Sequence, residues 1–391
     1  MEIKIDSMDH MGNGIGKINN KIVFVPKSLT NDICDIDIYK EYKKYSKGKI
    51  NKILESSDLR IDSACPYYDI CGGCNISNLS YSEQLKFKEN KVKNIFKKYL
   101  DIDIDPRVIG SNKEYKYRNK ITYHNDSKLG LIGEFDGIID IDKCLLVSDK
   151  VNELYGLIKN SDTKDVKLIM IKECDNGLIL SITGKMDVSN LYDKCISIYM
   201  NNKCIYHKEN GYICINNIKY MVSNQSFFQV NTTNITNLYD EIIRYGNFKK
   251  TDKVIDLYCG VGSISLYIAN YVKSVLGIEI IPEAIKDAKK NASINNISNV
   301  EFICSDVAKV ISDNLDGNIL IVDPPRIGID SHTIDIINNS KIDKMIYVSC
   351  NPMTLVRDLK LLTNYKLTDI SVVDMFPQTH HVECVCLLER R

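Results

Sequence analysis

Two acids, an arginine and a cysteine near the end of this chain are the residues best suited to act on a substrate together. Ser349-Cys350-Asn351-Pro352 closes a predicted strand at 344–350. The Asn-Pro pair makes a sharp exit and leaves the thiol at the strand's carboxyl end. Cys350 therefore reads as a nucleophile rather than an inert buried thiol. Asp323-Pro324-Pro325-Arg326 closes the preceding strand, at 319–323. Ligands of open α/β sheets bind at the carboxyl ends of the strands, so both motifs fall on one side. Further on, Glu383 interrupts a mostly apolar strand at 382–389. A paired or surface acid is the plain alternative, but a buried carboxylate there has raised basicity and serves as a general base. His380 and His381, just before it, are alternative bases, though exposed loop histidines are the commoner case and the expectation.

A second group lies upstream. Asp256-Leu-Tyr258-Cys-Gly260-Val-Gly262-Ser263 follows a strand at 253–258 and opens a helix. Glycines in such a loop let the backbone approach a ligand closely. Glu279 ends the next strand, at the separation where an acid accepts hydrogen bonds from ribose hydroxyls. A dinucleotide loop would want a third glycine where Ser265 stands. Asp256 argues the same way, since an acid repels a pyrophosphate and favours a cationic cofactor such as S-adenosylmethionine. Asp306, ending a third strand at 300–306, is placed to bind an adenine amino group. The alternative is an ordinary strand–helix turn without a ligand.

The third group is made of thiols. Most of the 14 cysteines, Cys174, Cys195, Cys214 and Cys304 among them, sit singly in apolar runs and read as buried thiols of a reducing cytosol. Cys65, Cys71 and Cys74 are close together, with Gly72-Gly73 shaped for tight ligation. Chance clustering is the alternative, and a disulfide does not suit the cytosol. Zinc and an iron–sulfur cluster both accept thiolates. Zinc sites usually present two close pairs, and no second pair is nearby. A fourth ligand must come from far away, and Cys144, after the charged turn at 140–143, is the candidate.

The elements that position these groups fall into three stretches. Residues 1–57 read as short strands at 1–5, 21–26 and 32–39, which suits a five-stranded barrel of the kind that binds oligonucleotides. Gly12, Gly14 and Gly16 are taken as turn residues, because a strand rather than a helix follows them. Lys40, Lys43, Lys44, Lys47, Lys49 and Lys52, interleaved with Tyr42 and Tyr45, form either a solvated face or a nucleic-acid surface. Residues 58–222 read as α+β, with the cysteines followed by an amphipathic helix at 81–100. Its apolar stripe is Leu85, Val92, Ile95, Phe96 and Tyr99, with Lys86, Lys91, Lys93, Lys97 and Lys98 on the other side. From 223 to 391 strands and helices alternate as in a doubly wound parallel sheet, ending in an antiparallel pair at 370–375 and 382–389.

The totals set loose bounds. A length of 391 residues predicts two or three domains, and 44% hydrophobic with 26% charged residues suits a soluble globular chain. No apolar run is long enough to span a bilayer, and the first nine residues do not form a signal peptide, so a cytoplasmic protein is expected. The formal net charge of zero offers no basic bias, which leaves RNA open as a partner because lysines cluster locally.

One reaction needs this set of groups: methylation of an unactivated pyrimidine carbon. A thiolate that adds to C6 of uracil turns C4–C5 into an enolate, C5 attacks a sulfonium methyl group, and a base then removes the C5 proton. Phe227-Phe228-Gln229-Val230-Asn231, the loop at 256–263, Asp323-Pro-Pro-Arg326, Ser349-Cys-Asn-Pro352 and His381-Val-Glu383 occur here in the order seen in the RNA (uracil-5-)-methyltransferases, which this chain resembles over nearly its whole length. The resemblance implies a multidomain fold: an N-terminal OB-like β-barrel (TRAM) for RNA at 1–57, a central α+β domain with an iron–sulfur cluster at 58–222, and a C-terminal α/β Rossmann-like class I methyltransferase domain at 223–391. It implies Cys350 as nucleophile, Glu383 as base, and Gln229, Tyr258, Ser263, Glu279, Asp306 and Asp323 around S-adenosyl-L-methionine. Gln229 and Arg326 would also contact a uracil flipped out of its stack. Cys65, Cys71, Cys74 and Cys144 would hold a [4Fe–4S] cluster. The partner would be structured RNA, 23S ribosomal RNA in members with both TRAM and cluster and the transfer-RNA T-loop in some relatives, with no membrane and no obligate protein partner.

Two rivals come from other classes. Methyltransferases of exocyclic base amines carry an aromatic residue where Arg326 stands, and they need no cysteine. An RNA-binding assembly factor with a dead methylase domain would have no reason to keep Asp256, Glu279, Cys350 and Glu383 together.

Overall fold

The computed structural model describes residues 1–135, 137–224, 228–311 and 316–391. Phe227, named in one of the motifs above, lies outside the described residues.

The first 55 residues close into a five-stranded barrel. Its strands are β1 (Glu2–Met8), β2 (Asn13–Ile18), β3 (Lys21–Pro26), β4 (Ile33–Glu41) and β5 (Tyr45–Glu55), in the order β1-β2-β3-β5-β4. Alternation along β1, β3 and β4 puts Ile3, Ile5, Val23, Val25, Cys34 and Ile36 inside, the period-2 pattern of a half-buried strand. The glycines correct the expectation of a glycine turn. Only Gly12, at φ 86°, is a turn residue, whereas Gly14 and Gly16 belong to β2. A Cβ at Gly14 would come within 2.7 Å of Ile5, and one at Gly16 within 2.8 Å of Ile3, so the small barrel closes only with glycine there.

Helix α1 (Tyr81–Leu100) follows. Ser80 caps it by accepting from the Glu83 N–H, and Asp101 ends it in the left-handed region at φ 55°. Val92, Ile95 and Phe96 are buried as the periodicity predicts, each worth roughly 1.5–3 kcal/mol. Leu85 is only partly covered, while Gln84 and Lys88 are buried beside them. Lys91, expected on the solvent side, is mostly covered as well, and its Nζ donates to the His380 carbonyl at 2.7 Å.

Three pieces of the 58–222 stretch leave the central sheet. Helix α1 packs its apolar stripe into the core of the C-terminal sheet, and β6 (Arg107–Ile109) forms that sheet's edge beside its last hairpin. The central sheet itself comprises β7 (Lys120–Asn125), β8 (Leu129–Ile132), β9 (Ile138–Ile139), β10 (Val166–Cys174), β11 (Gly177–Gly184), β12 (Cys195–Met200) and β13 (Lys203–His207), in the order β13-β12-β11-β10-β7-β8-β9. Helix α2 (Asp149–Lys159) covers one face with Val151, Leu154, Tyr155 and Ile158, and Tyr155 stacks on Tyr123 at 3.9 Å. A hairpin of β14 (Gly211–Ile215) and β15 (Ile218–Val222) joins the C-terminal core through Ile213, Tyr220 and Val222.

Beyond α3 (Ile235–Gly246) the chain is doubly wound. β16 (Lys253–Leu257), α4 (Ser263–Ile268), β17 (Ser274–Glu279), α5 (Pro282–Ile294), β18 (Val300–Cys304), α6 (Val307–Val310), β19 (Ile319–Val322), α7 (Ser331–Asn339), β20 (Lys344–Ser349), α8 (Pro352–Leu361), β21 (Tyr365–Val373) and β22 (Glu383–Arg390) follow one another. The sheet order is β18-β17-β16-β19-β20-β22-β21-β6, parallel through the first five strands, with β22 antiparallel. Both faces are buried, so neighbouring residues of one strand serve opposite cores. Ile346 and Val348 point one way, Met345 and Tyr347 the other. The strand order reverses between β16 and β19, which puts a ligand crevice at their carboxyl ends. No helix of the described residues is long and apolar enough to cross a membrane.

Candidate active site

The residues singled out by sequence surround one cavity of about 1420 Å³ at those carboxyl ends. Gln229, Tyr258, Gly260, Glu279, Asp323, Arg326, Cys350 and Glu383 line it. Ser263 and Asp306 do not reach its wall. Ser263 opens α4 behind the loop and its carbonyl accepts from the Tyr220 hydroxyl at 3.0 Å, and Asp306 caps α6 by accepting from the Ala308 N–H.

Register brings the cysteine and the acid together. β20 and β22 pair Ser349 with Cys384, so the next residue of one strand, Cys350, lies beside the preceding residue of the other, Glu383. Asn351 caps α8 by accepting from the Met353 N–H at 3.1 Å, with Pro352 as the first helical residue. Its side-chain amide also donates to the Arg326 carbonyl at 3.2 Å, and Thr354 donates to the same oxygen at 3.2 Å. The two motifs are thereby tied into one rim.

Burial sets the electrostatics. Glu383 is 3% exposed, and desolvation together with Asp323 holds its carboxyl well above the usual range, opposed by Arg326. Burial likewise pushes Asp323 and Asp256 up to about 7. The Cys350 thiol is pushed up to about 11, by burial first and then by Glu383 and Asp323. A crevice in which acids are held partly neutral for want of a counter-charge suits a cationic ligand. Asp256 acts from beneath: it is fully buried, accepts from the Ser265 hydroxyl at 2.5 Å, and its other oxygen has no partner among the described residues.

The glycine loop is built for close approach. Tyr258 adopts φ 64°, a conformation that a non-glycine residue holds only when its surroundings enforce it. Gly260, at φ 54°, donates its N–H to Glu279 at 3.2 Å, and a Cβ there would meet nothing within 4 Å, leaving open room against the backbone. Gly262, at φ 76°, has Phe302 2.7 Å from where its Cβ would be, so glycine is required for packing as well as for conformation.

The histidines correct an expectation. His380 and His381 are half-buried, and burial with nearby cations lowers them to about 3 and about 4. They are neutral at physiological pH. His380 shares a 2.8 Å hydrogen bond with Asn75, and His381 packs edge-on against Phe376.

Sequence reasoning missed the group that holds the 374–381 loop, which delivers Phe376 and Glu383. Lys88 of α1 donates to Asp374 at 2.5 Å and to the Phe376 carbonyl at 2.9 Å. Gln84 and Gln378 exchange two hydrogen bonds, at 3.0 and 2.8 Å. Tyr117 donates to the Pro377 carbonyl at 3.0 Å, and the N–H groups of Asn75 and Ile76 donate to the Gln378 carbonyl. The only sequence signal was the polar residues at 84 and 88 inside an otherwise apolar helical stripe.

Cys65, Cys71, Cys74 and Cys144 line the far end of the same cavity. Gly72 lets the cysteine loop lie against the Gly133 carbonyl, 3.0 Å from where a Cβ would stand. Asn152 of α2 holds Cys144 from both sides, accepting from its N–H at 2.9 Å and donating to its carbonyl at 3.0 Å. From the barrel, the buried Lys27 donates to the Cys71 carbonyl at 2.6 Å. Burial raises the Cys74 thiol, and Cys144, Cys71 and Cys65 raise it further. Among the described residues, no three His, Cys, Asp or Glu side chains are close enough to hold a single metal ion. Of the single cysteines, Cys174 and Cys195 are buried as expected, whereas Cys214 and Cys304 are exposed.

Comparison with known proteins places this architecture. The family model described as tRNA (Uracil-5-)-methyltransferase matches residues 197–318 and 307–391, and the TRAM domain model matches residues 1–50. An uncharacterized RNA methyltransferase of Halalkalibacterium halodurans is 32% identical, covering 100% of this chain and 96% of its own. One from Clostridium acetobutylicum is 33% identical with the same coverage. The crystal structure of the Pyrococcus abyssi tRNA (uracil-54, C5)-methyltransferase in complex with S-adenosyl-L-homocysteine superposes with a TM-score of 0.83, at 27% identity over 99% of both chains. The chain belongs to the RNA (uracil-5-)-methyltransferase family, S-adenosylmethionine-dependent enzymes that act on RNA, and its N-terminal barrel is a TRAM domain.

Proposed function

We propose that the protein methylates C5 of a uridine in 23S ribosomal RNA, in the cytoplasm, through a covalent adduct between Cys350 and C6 of the base. The observation that carries this reading is the β20–β22 register, which sets a cavity-facing thiol beside a buried carboxylate. Bound S-adenosylmethionine supplies an electrophilic methyl group on a sulfonium. The open face of Gly260, the Glu279 carboxylate, Tyr258, Gln229 and Asp323 form its cradle, with Ser263 and Asp306 supporting the loop and the strand end. The Cys350 thiolate bonds to C6, electron density moves onto C5, and C5 takes the methyl group as the sulfonium leaves as a neutral thioether. Glu383 removes the C5 proton, and the C6–S bond breaks to release the thiolate and restore the C5–C6 double bond. A carboxylate made more basic by burial suits that step. Residues 1–57 grip the RNA, 58–222 hold the cluster, and 223–391 carry out transfer.

Glu383→Gln is expected to trap enzyme on RNA, because methylation proceeds but elimination cannot. Denaturing gels with unmodified substrate RNA should show a slow-migrating species, and normal turnover by this variant removes Glu383 from the role. Cofactor affinity is expected to rise with pH through about 7, as Asp323 and Asp256 ionise and face a cationic ligand; calorimetric titrations from pH 6 to 8 check this.

We propose that the four thiols hold a [4Fe–4S] cluster, with a single zinc as the alternative, since both accept thiolates. Protein purified without oxygen is expected to be brown with about four irons per chain, and to lose the colour in Cys71→Ser. Colourless protein with one zinc would contradict the cluster and leave the transfer chemistry intact.

A transfer-RNA substrate is the second reading, favoured by the name of the Pyrococcus abyssi relative. Mapping 5-methyluridine in ribosomal and transfer RNA from a deletion strain separates the two.

A further inference from the structure

The cavity is larger than its proposed chemistry needs. One small ligand occupies roughly 300–1,000 Å³, and this cavity holds about 1420 Å³. The excess lies against the central sheet. Strand β7 turns Tyr123 into the central core, holds Ile121 between core and cavity, and turns Lys120, Thr122 and His124 into the cavity, and Arg118 continues the same phase on the same wall. Alternate side chains on a strand stand about 6.6–6.8 Å apart, so the wall presents a row of evenly stepped polar groups.

The charge of this row is uncompensated. Among the described residues neither Arg118 nor Lys120 has a carboxylate within 4.0 Å, whereas Lys116 pairs with Asp149 and Lys159 with Asp140 and Asp142. Glu134, an acid of the same wall, pairs with Lys27. Arg118 instead donates to the Lys120 carbonyl at 2.9 Å, which fixes one cation next to the other. Burial and Arg118 both disfavour the charge on Lys120. Two neighbouring cations without an acid lower stability, so folding alone gives no reason for them.

We propose that the Arg118–Lys120–His124 row binds phosphates of the nucleotides flanking the target uridine, so that the RNA strand runs along β7 while the flipped base points at Cys350. This rests on the RNA-methyltransferase reading. Phosphates are the matching partner because they repeat along a strand, carry one charge each, and accept hydrogen bonds from all three side-chain types. The competing account is that Arg118 only balances charge at Cys144, whose thiol burial pushes up to about 11 while Arg118 opposes the rise.

RNA affinity measured against salt concentration separates these accounts. With a stem-loop RNA that the wild type methylates, Lys120→Gln should weaken binding and flatten the log–log salt slope by about 0.7, the value for one lost single-strand phosphate contact. Lys120→Arg should restore the slope, S-adenosylmethionine affinity should be unchanged, and Lys120→Gln should melt no lower than wild type. An unchanged slope and affinity in Lys120→Gln and Arg118→Gln would overturn the proposal while leaving the enzyme's function intact. Loss of bound iron in Arg118→Gln at an unchanged slope would overturn it in favour of thiolate balance. Failure to find any RNA that the wild type methylates would overturn both the proposal and the reading beneath it.

Discussion

Cys350→Ala is expected to lower methyl transfer by roughly a million-fold, the scale on which removal of a catalytic nucleophile is felt. S-adenosylmethionine binding should survive, since the Gly260 loop, Glu279 and Asp323 do not depend on the thiol. The pH dependence follows from the same geometry. Burial, Glu383 and Asp323 push the Cys350 thiol up to about 11, so the free enzyme holds little thiolate at neutral pH. Adduct formation should therefore speed up from pH 7 towards 10, until RNA structure or protein stability fails. A rate flat across that range would mean that bound RNA, rather than solvent hydroxide, sets the ionisation.

Lys88→Ala is expected to destabilise the protein by about 3–5 kcal/mol, because it leaves the carboxylate of Asp374 buried without its cation. Both side chains are essentially inaccessible, at 0% and 1% exposure, so water does not replace the lost partner. The damage should spread into function, because Lys88 also holds the Phe376 carbonyl on the loop that leads to Glu383. Urea unfolding measures the first effect. Pairing Lys88→Met with Asp374→Leu should recover much of the stability, since removing both charges is far less damaging than removing one. If Lys88→Ala unfolds at the wild-type midpoint, the pair is not a structural tie.

Much of this was legible in the sequence because the signals were periodic or local. The parallel strands of the C-terminal sheet announced themselves as apolar runs, the first carrying Asp256 and the others ending in Glu279, Asp323 and Cys350. The extent of α1 followed from a 3.6-residue period. What stayed hidden depended on partners distant in the chain. Lys88 interrupts the apolar stripe of α1 without a visible partner until Asp374 arrives 286 residues later. The short run Arg107–Ile109 carries no pattern that assigns it to the far edge of another sheet, where β21 recruits it. Gly14 and Gly16 look like turn residues because sequence alone does not show how tightly a five-stranded barrel closes. The histidines at 380 and 381 seemed to be loop residues in water, yet α1 and the cysteine loop cover them. The outward phase of β7 was equally silent, since a strand's polar face reads as solvent until a cavity is found in front of it.

The most direct test of the account is substrate RNA carrying 5-fluorouridine at the target position, incubated with enzyme and S-adenosylmethionine and then denatured. Fluorine at C5 cannot leave as a proton, so a reaction that adds Cys350 to C6 and methylates C5 must stop with protein and RNA joined. The account predicts a denaturation-resistant complex with wild type and none with Cys350→Ala. A complex that persists in Cys350→Ala, or a wild type that methylates ordinary RNA yet never forms one, would contradict it.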